Sequence, residues 1–246
     1  MEESVRRAVD DLKKARNVVA LTGAGISVES GIPPFRGRGG IWEKFDPMEF
    51  GNIEFFLREP AKVWELLIRD LKEVVDRARP NAGHLGLARM EQMGILKTII
   101  TQNVDGLHQM AGNTDVIEFH GNCAWQRCMD CGGKVRTRDV TLETLPPRCA
   151  CKGILRPDWV FFGEMIPPDA LDRSRRIASR CDTMLVVGTS AMVQPAAYIP
   201  AIARQAGATV IEINPERTPL TAKISSYLVR GGAGEAMTAI LEAMEA

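Results

Sequence analysis

Long apolar stretches are missing from this sequence, and no run of residues is suited to spanning a membrane. The best candidate, residues 183–203 (TMLVVGTSAMVQPAAYIPAIA), is interrupted by Gln194, Pro195 and Pro200, whereas a transmembrane helix needs about 20 consecutive apolar residues. Residues 1–17, MEESVRRAVDDLKKARN, are charged throughout and lack the apolar core of a signal peptide. We therefore expect a cytoplasmic protein with no membrane partner.

An excess of charge of either sign is also absent. The chain of 246 residues carries 31 Lys plus Arg and 31 Asp plus Glu, so its overall field attracts neither nucleic acid nor anionic lipid. We expect no direct, sequence-specific binding to nucleic acid. With 45% hydrophobic residues, the chain can bury the core of one large domain with insertions.

Short β-rich runs alternate with helical patterns along the chain. The β-rich runs, most of them followed by glycine and a polar loop, are residues 17–22, 96–101, 115–120, 183–188 and 209–214. Helical periodicity is present at residues 4–16, 195–206 and 233–244. Continuous apolar strands that alternate with helices are typical of a parallel sheet covered on both faces. The expected fold class is α/β, with a Rossmann-like, doubly wound parallel sheet.

Two stretches interrupt this alternation and predict a smaller second lobe. Residues 37–80 contain no strand-like run but carry aromatic residues among helical charges, which indicates a helical module. Residues 123–153 contain five of the six cysteines, which indicates a metal-binding module. The Rossmann-type domain would then comprise residues 1–36, 81–122 and 154–246.

Four of the cysteines have the spacing of a structural zinc site. Cys128 and Cys131 are separated by two residues, and Cys149 and Cys151 by one. Two close pairs of thiolates can surround one tetrahedral Zn²⁺ and leave no position open for water. We expect one zinc ion that holds the small lobe together and takes no part in catalysis. The alternative is four unrelated buried cysteines.

The loop after the first β-rich run contains a glycine pair with unusual spacing. Gly23 and Gly25 can bring backbone N–H groups close to a pyrophosphate at a helix N-terminus. A dehydrogenase fingerprint would need a third glycine where Val28 stands, and a ribose-binding acid about 20 residues later, which has no clear counterpart. The pair by itself therefore indicates nucleotide binding only weakly.

Polar loops after other β-rich runs strengthen the nucleotide interpretation, because open parallel sheets bind ligands outside the carboxyl ends of their strands. These loops are residues 101–112 (TQNVDGLHQMAG), 188–190 (GTS) and 213–216 (INPE). His120 ends the run DVIEFH and would face the same crevice, where a neutral imidazole can act as a base near pH 7.

Together these motifs resemble those of the sirtuins, the NAD-dependent protein lysine deacylases. The similar segments run in order over nearly the whole chain: residues 23–36 (GAGISVESGIPPFR), 101–108 (TQNVDGLH), 118–121 (EFHG), the paired cysteines, 156–164 (RPDWVFFGE), GTS, 194–196 (QPA), INPE and 231–235 (GGAGE). The resemblance implies NAD and one structural Zn²⁺ as cofactors. It implies acyl-lysine proteins or peptides as substrates, with NAD and acyl-lysine entering a cleft between the lobes from opposite sides.

The resemblance also implies a role for each site residue. His120 would be the catalytic base, and Asn103 and Asp105 would organise and hold the nicotinamide amide. Phe35 and Arg36 would shape the pocket of the nicotinamide ribose. Further NAD contacts would come from Gly23, Ala24, Gly25, Ser27, Gln102, Gly188, Thr189, Ser190, Asn214 and Glu216. The substrate peptide would add as an extra strand on Val160, Phe162, Gly163 and Glu164.

The implied reaction releases nicotinamide from NAD and moves the acyl group from lysine to ADP-ribose, without hydride transfer. Three other functions share parts of this pattern. Val28, in place of a third glycine, argues against a Rossmann oxidoreductase. The joint presence of His120, Asn103 and Asp105 argues against a non-catalytic NAD-binding regulator. Mono-ADP-ribosyl transfer uses the same bond cleavage with a different acceptor and stays open as a side activity.

Three departures from the sirtuin pattern involve four positions. Pro34 stands where aspartate or threonine is usual and fixes the backbone there, and Lys152 stands where a glycine commonly follows the last cysteine. Sirtuins that prefer succinyl or malonyl groups carry a tyrosine and an arginine at positions that we align with Leu67 and Asp70. An acidic acyl group would meet an apolar side chain and a carboxylate here, so we expect acetyl or longer neutral acyl chains.

Overall fold

Nine strands form two separate sheets in the computed structural model, which describes residues 2–34, 40, 43 and 46–245. The strands are β1 (Val18–Thr22), β2 (Leu96–Thr101), β3 (Val116–Glu118), β4 (Gly121–Cys128), β5 (Lys134–Arg136), β6 (Leu155–Trp159), β7 (Thr183–Val187), β8 (Thr209–Asn214) and β9 (Tyr227–Arg230). Six of them form a sheet in the order β3-β2-β1-β7-β8-β9, and all its pairings are parallel.

This sheet confirms the predicted α/β fold class. Each of the five predicted β-rich runs contains a strand of the parallel sheet. The sixth strand, β9, was not predicted. It is a short edge strand with the sequence YLVR, of which only Val229 is fully buried, so it lacks the continuous apolar run that marks the interior strands.

Eleven α-helices lie in the described part of the chain. They are α1 (Glu2–Lys14), α2 (Pro47–Phe50), α3 (Ile53–Arg58), α4 (Pro60–Val63), α5 (Arg69–Arg77), α6 (Ala82–Gln92), α7 (Leu107–Ala111), α8 (Pro168–Ala178), α9 (Ile199–Gln205), α10 (Pro219–Lys223) and α11 (Ala233–Glu245). A π-helical turn, Trp64–Ile68, joins α4 to α5. Within these described residues, no helix has the length and apolarity to cross a membrane.

Alternate residues of the parallel strands pack against helices on opposite faces of the sheet. On β1, Val18 and Ala20 belong to the core formed with α1, α6 and α11, whereas Val19 and Leu21 belong to the core formed with α8 and α9. Side chains alternate in this way because successive residues of a strand point to opposite faces. Both faces are therefore covered, as a doubly wound sheet requires.

The remaining strands form a small antiparallel sheet in the order β5-β4-β6. It shares a hydrophobic cluster with the helices between residues 47 and 77, in which Phe56 and Trp64 are fully buried. The Trp64 indole Nε1 donates to the Leu155 carbonyl oxygen on β6 at 3.0 Å. The two segments that interrupt the parallel sheet thus pack on each other, while the residue boundaries of the domains stay a prediction.

Candidate active site

A cavity of about 1190 Å³ lies at the carboxyl ends of the parallel strands. Its lining includes residues at or just beyond the ends of β1, β2, β7 and β8, namely Gly23, Gln102, Gly188 and Asn214. The small sheet and its neighbouring helices complete the walls through Leu67, Leu71 and residues 159–165. The sheet order reverses direction between β1 and β7, and open α/β sheets bind ligands at this type of switch point.

The glycines after β1 and β7 allow two loops to touch through their backbones. A Cβ on Gly25 would lie 2.7 Å from Gly188 Cα, and a Cβ on Gly188 would lie 2.4 Å from Ile26 N. Gly188 also has a φ of +61°, in the left-handed region that favours glycine. Only glycine fits these positions without displacing backbone, so the spacing that fails as a dehydrogenase fingerprint serves this loop contact.

The N–H groups of the glycine pair are already used inside the protein. Gly23 N donates to Val187 O at 3.0 Å, and Gly25 N donates to Gly188 O at 2.7 Å. These two N–H groups are therefore not free for a pyrophosphate, and the contact of this loop with NAD stays a prediction. Both glycines, with Ala24, still line the cavity, so their backbones remain within reach of a ligand.

Three predicted site residues form one hydrogen-bonded group next to the cavity. The Asn103 amide Nδ2 donates to Ser27 Oγ at 3.1 Å and to the Gly23 carbonyl oxygen at 3.2 Å. Ser27 Oγ in turn donates to Asp105 Oδ2 at 2.7 Å. Asn103 lines the cavity, whereas Ser27 and Asp105 are not among its lining residues. The structure thus brings these three residues together, and Asn103 is the one that faces the cavity.

Burial raises the pKa of Asp105, although hydrogen bonds from the Leu107 N–H and the Ser27 hydroxyl partly oppose this effect. Desolvation disfavours the charged form of a carboxylic acid, and donors to the carboxylate favour it. Both oxygens of the Asp105 carboxyl group are therefore held by protein donors.

Two further histidines are buried behind this group. His84 Nε2 lies 3.4 Å from Ser27 Oγ, and His108 Nε2 lies 2.9 Å from Thr22 Oγ1. Burial lowers the pKa of His84 to about 4, and burial together with the charge of His84 lowers the pKa of His108 to about 3. Both rings are therefore neutral at pH 7. Neither ring lines the cavity, so His84 and His108 lie in the interior instead of in the ligand crevice.

His120 has the geometry of a general base. Its ring lines the cavity, and Nδ1 lies 3.0 Å from the Gln102 carbonyl oxygen. A carbonyl oxygen only accepts hydrogen bonds, so this contact requires a proton on Nδ1 and leaves Nε2 of the neutral ring as the acceptor. Burial lowers the pKa of His120, while the hydrogen bond to Gln102 opposes this. The ring is therefore a neutral base at pH 7.

Polar residues at the ends of β7 and β8 also line the cavity. Thr189, Ser190, Asn214 and Glu216 are all among its lining residues. Thr189 links the loops, because its Oγ1 accepts from Gln102 Nε2 at 3.0 Å and its carbonyl oxygen accepts from Asn214 Nδ2, also at 3.0 Å. Pro34 lines the cavity as well, while Phe35 and Arg36 lie outside the described residues.

Residues 160–164 form a bent segment between His120 and the helical module. Val160, Phe162, Gly163 and Glu164, the predicted peptide-binding residues, all line the cavity. The Phe162 N–H donates to Gly51 O at 2.8 Å, and Phe162 O accepts from Ile53 N at 3.0 Å. An added peptide strand would therefore have to pair with other backbone groups of the segment.

A comparison with protein families identifies this arrangement. The model of the Sir2 family matches residues 23–195. The chain belongs to the Sir2 family. It shares 48% identity over 234 residues with NAD-dependent protein deacylase 2 of Pyrobaculum aerophilum, which covers 95% of this chain and 93% of that protein. The resemblance to the sirtuins is thereby confirmed.

Solved structures of Sir2 proteins have the same fold. A Sir2 homologue in complex with NAD is 44% identical, with a TM-score of 0.89 over 97% of this chain and 93% of the other. A Sir2 variant bound to a deacetylated p53 peptide and 3′-O-acetyl ADP ribose is 36% identical, with a TM-score of 0.91 over 97% of this chain and 98% of the other.

The four predicted zinc ligands of this Sir2 protein converge in the small domain. Their sulfur atoms all lie within 4.8 Å of one another, with Cys128 Sγ at 3.5 Å from Cys151 Sγ and Cys131 Sγ at 3.9 Å from Cys149 Sγ. Zn–S bonds of about 2.3 Å in a tetrahedron place the sulfurs about 3.8 Å apart. The donor set therefore fits a closed, structural Zn²⁺ site.

The turn that ends this cysteine cluster is strained at the position where the Sir2 pattern usually has glycine. Lys152 has a φ of +74°, which costs an L-residue about 1–2 kcal/mol. The turn is held by hydrogen bonds from Lys152 N to Cys149 O and from Arg148 Nη1 to Lys152 O, both at 2.8 Å. These contacts explain how lysine is accommodated.

Two residues of this Sir2 site were missed in the sequence. Glu29 lines the cavity, and its Oε1 accepts from the Gly234 N–H at the start of α11, which joins the first loop to GGAGE. Arg156 is buried beneath the segment 160–164. The RPDWVFFGE motif contains Arg156, but its spacing does not reveal that the first and last residues of the motif meet.

Proposed function

We propose that this Sir2 protein is an NAD-dependent protein deacylase, which transfers an acyl group from lysine to ADP-ribose and releases nicotinamide. The observation that carries the proposal is the position of His120, a neutral base that shares one cavity with the glycine loops and with the segment 160–164. The NAD-dependent protein deacylase of Pyrobaculum aerophilum, at 48% identity, supports the same activity.

The residues around the cavity fit NAD. The loops after β1 and β7 meet at Gly25 and Gly188, and both loops line the cavity, so the backbone on their cavity side is within reach of a nucleotide's phosphates. Asn103 presents an amide whose orientation is fixed by Gly23 and Ser27, as recognition of a carboxamide requires. Bound NAD would supply the labile bond between nicotinamide and ribose, and with it the hydroxyls that accept the acyl group.

His120 would accept a proton from the substrate ribose at Nε2. Its tautomer is set by the Gln102 carbonyl oxygen, and its pKa is lowered by burial, so the ring is available as a base at neutral pH. A positioned general base contributes about 10²–10⁴-fold to a rate. The rest of the acceleration would come from holding NAD and acyl-lysine in one cavity.

The acyl group would be acetyl or a longer neutral chain in preference to succinyl. Leu67 and Leu71 of the helical module line the cavity together with Trp159 and Phe161, so an acyl chain would meet apolar walls. Asp70 does not contribute, because it is not among the lining residues and its side chain is 70% exposed. The preference therefore rests on desolvation: burying a carboxylate against these four apolar side chains is costly.

The substrates would be acyl-lysine proteins or peptides in the cytoplasm. The structure of a related Sir2 variant with a deacetylated p53 peptide supports peptide binding by this fold. Zn²⁺, held by the four clustered thiolates, would stabilise the small domain, and such free cysteine ligands suit a reducing compartment. We expect no membrane or nucleic-acid partner.

The test is mass spectrometry of an acetyl-lysine peptide incubated with the protein and NAD. We expect loss of the acetyl group that requires NAD, together with acetylated ADP-ribose and free nicotinamide. His120→Ala should abolish this activity while retaining the native circular dichroism spectrum. Met110→Ala, at an exposed position outside the cavity lining, is the control and should behave as wild type.

Other products would favour the alternatives. An NADH absorbance change would indicate an oxidoreductase, and ADP-ribose attached to protein would indicate mono-ADP-ribosyl transfer. Full activity in folded His120→Ala would refute the assigned base.

The acyl preference is tested by comparing turnover of matched acetyl and succinyl peptides. Leu67→Arg should raise the succinyl rate relative to the acetyl rate, and Asp70→Asn should change neither rate. A wild-type rate that is higher on succinyl peptides would contradict the proposed preference.

A further inference from the structure

The two ends of the motif RPDWVFFGE form an ion pair between Arg156, which is buried, and Glu164, which is half-buried. Arg156 Nη1 donates to Glu164 Oε1 at 2.6 Å, and Nη2 donates to Glu164 Oε2 at 2.8 Å. Arg156 is only 4% exposed. Such a bidentate pair fixes geometry as well as supplying attraction, because both groups are planar. No cavity ligand is needed to satisfy either charge.

The ion pair is also hydrogen-bonded to residues 159–161, which lie between its two members in the chain. Arg156 Nη2 also donates to the Trp159 carbonyl oxygen at 2.5 Å, and Glu164 Oε2 accepts from the Phe161 N–H at 2.9 Å. The guanidinium lies over the Phe161 ring, 4.7 Å from its centroid. The two charges thus hold backbone and ring of the segment from inside the bend.

The enclosed segment is also connected to the base and to the helical module. The Val160 N–H donates to the His120 carbonyl oxygen at 2.9 Å, and Phe162 exchanges backbone hydrogen bonds with Gly51 and Ile53. Residues 159–164 all line the cavity. A change inside the bend would therefore shift the wall on which the peptide is expected to lie.

We propose that Arg156 and Glu164 are positioning residues for the acyl-lysine substrate. Their ion pair holds residues 159–164 in the conformation that presents backbone groups to the peptide, and neither charged group contacts the substrate. This inference rests on the proposed deacylase function. It changes the role of Glu164, which the sequence pattern assigned to substrate contact, because both of its carboxylate oxygens are bonded within the protein.

The test compares peptide kinetics with nucleotide binding in Arg156→Gln, Arg156→Lys and Glu164→Gln. We expect Arg156→Gln and Glu164→Gln to lower kcat/KM for an acetyl-lysine peptide by on the order of 10- to 100-fold, mainly through KM, since small displacements of a binding wall have effects of this size. The affinity for ADP-ribose, measured by calorimetry, should stay within about twofold, because the glycine loops are untouched. Arg156→Lys keeps the charge but loses the bidentate fork and should be intermediate.

The matched control is Arg77→Gln, which removes an exposed arginine paired with Glu73 outside the cavity lining and should leave all values unchanged. Unchanged peptide kinetics in folded Arg156→Gln would overturn the inference, as would equal losses of peptide and ADP-ribose binding. If Arg156→Gln does not fold, Glu164→Gln and Arg156→Lys decide by the same criteria. A wild-type protein without deacylase activity would refute the proposed function and this inference together, whereas active wild type with unaffected variants refutes the inference alone.

Discussion

The two buried histidines should make this protein lose stability steeply as the pH falls below 6.5. In the folded state, the pKa of His84 is lowered to about 4 and that of His108 to about 3, mainly by burial. In the unfolded chain both rings titrate near the ordinary value of 6.5. Below pH 6.5 the unfolded state therefore binds two protons that the folded state does not bind, and acid favours unfolding.

The size of this effect follows from the two pKa values. Each pH unit between the unfolded and folded pKa costs about 1.4 kcal/mol for one histidine. At pH 5 the rings are still largely neutral in the folded protein, so each histidine lowers the free energy of unfolding by about 2 kcal/mol relative to pH 7. The pair together contributes about 4 kcal/mol, a large part of the stability of a typical domain.

The assay is urea denaturation of the wild type, His108→Gln and the double variant His84→Gln/His108→Gln at pH 7 and pH 5. The single substitution should remove about 2 kcal/mol of the loss between these pH values, and the double substitution about 4 kcal/mol. Comparing differences between proteins subtracts the contributions of all other titrating groups. Equal pH dependence in all three proteins would show that the rings are protonated in the folded state and would refute the reasoning.

The other predictions concern the site itself. Because burial lowers the pKa of His120, the acidic limb of kcat/KM for the deacylation reaction should lie below pH 6.5; a limb above this value would contradict a neutral, buried base. Gly188→Ala should destabilise the protein by about 2 kcal/mol or more and weaken ADP-ribose binding, since its Cβ would lie 2.4 Å from Ile26 N; wild-type thermal unfolding would rule out this contact. Removing Zn²⁺ with a chelator should unfold the small domain and abolish peptide turnover, as followed by near-ultraviolet circular dichroism; a native spectrum without zinc would argue against a structural site formed by Cys128, Cys131, Cys149 and Cys151.

The parallel sheet could be predicted because its interior strands are buried on both faces and read as continuous apolar runs. The edge strand β9 could not, since YLVR is short and only partly buried. The cysteine cluster could be predicted from local spacing, because the two cysteines of each pair lie close together in the chain. Long-range partners leave no such pattern: nothing in the sequence indicates that Arg156 is bonded to Glu164 or that Asp70 is directed away from the cavity.

The glycine loop shows a different limit of sequence reasoning. A glycine in the sequence can indicate that a Cβ has no room at that position, but it does not indicate which atoms occupy the space. At Gly25 the neighbour is the backbone of Gly188, so the close approach is between two loops of the protein itself. Gly23 N and Gly25 N donate to Val187 and Gly188, which the sequence does not reveal. A nucleotide at this loop would therefore have to bind other donors.

His120 and the segment 160–164 are held close together by contacts between neighbouring strands. His120 lies between β3 of the large sheet and β4 of the small one, and the segment 160–164 leaves β6 toward α8. Where these two connections meet, a Cβ on Gly121 would lie 2.3 Å from the Asp158 carbonyl oxygen, and the Val160 N–H donates to the His120 carbonyl oxygen. These neighbouring contacts therefore hold His120 close to the segment 160–164. A substitution that disturbs these contacts, such as Gly121→Ala, should lower deacylation of the peptide more than binding of ADP-ribose, since none of these contacts involves the glycine loops.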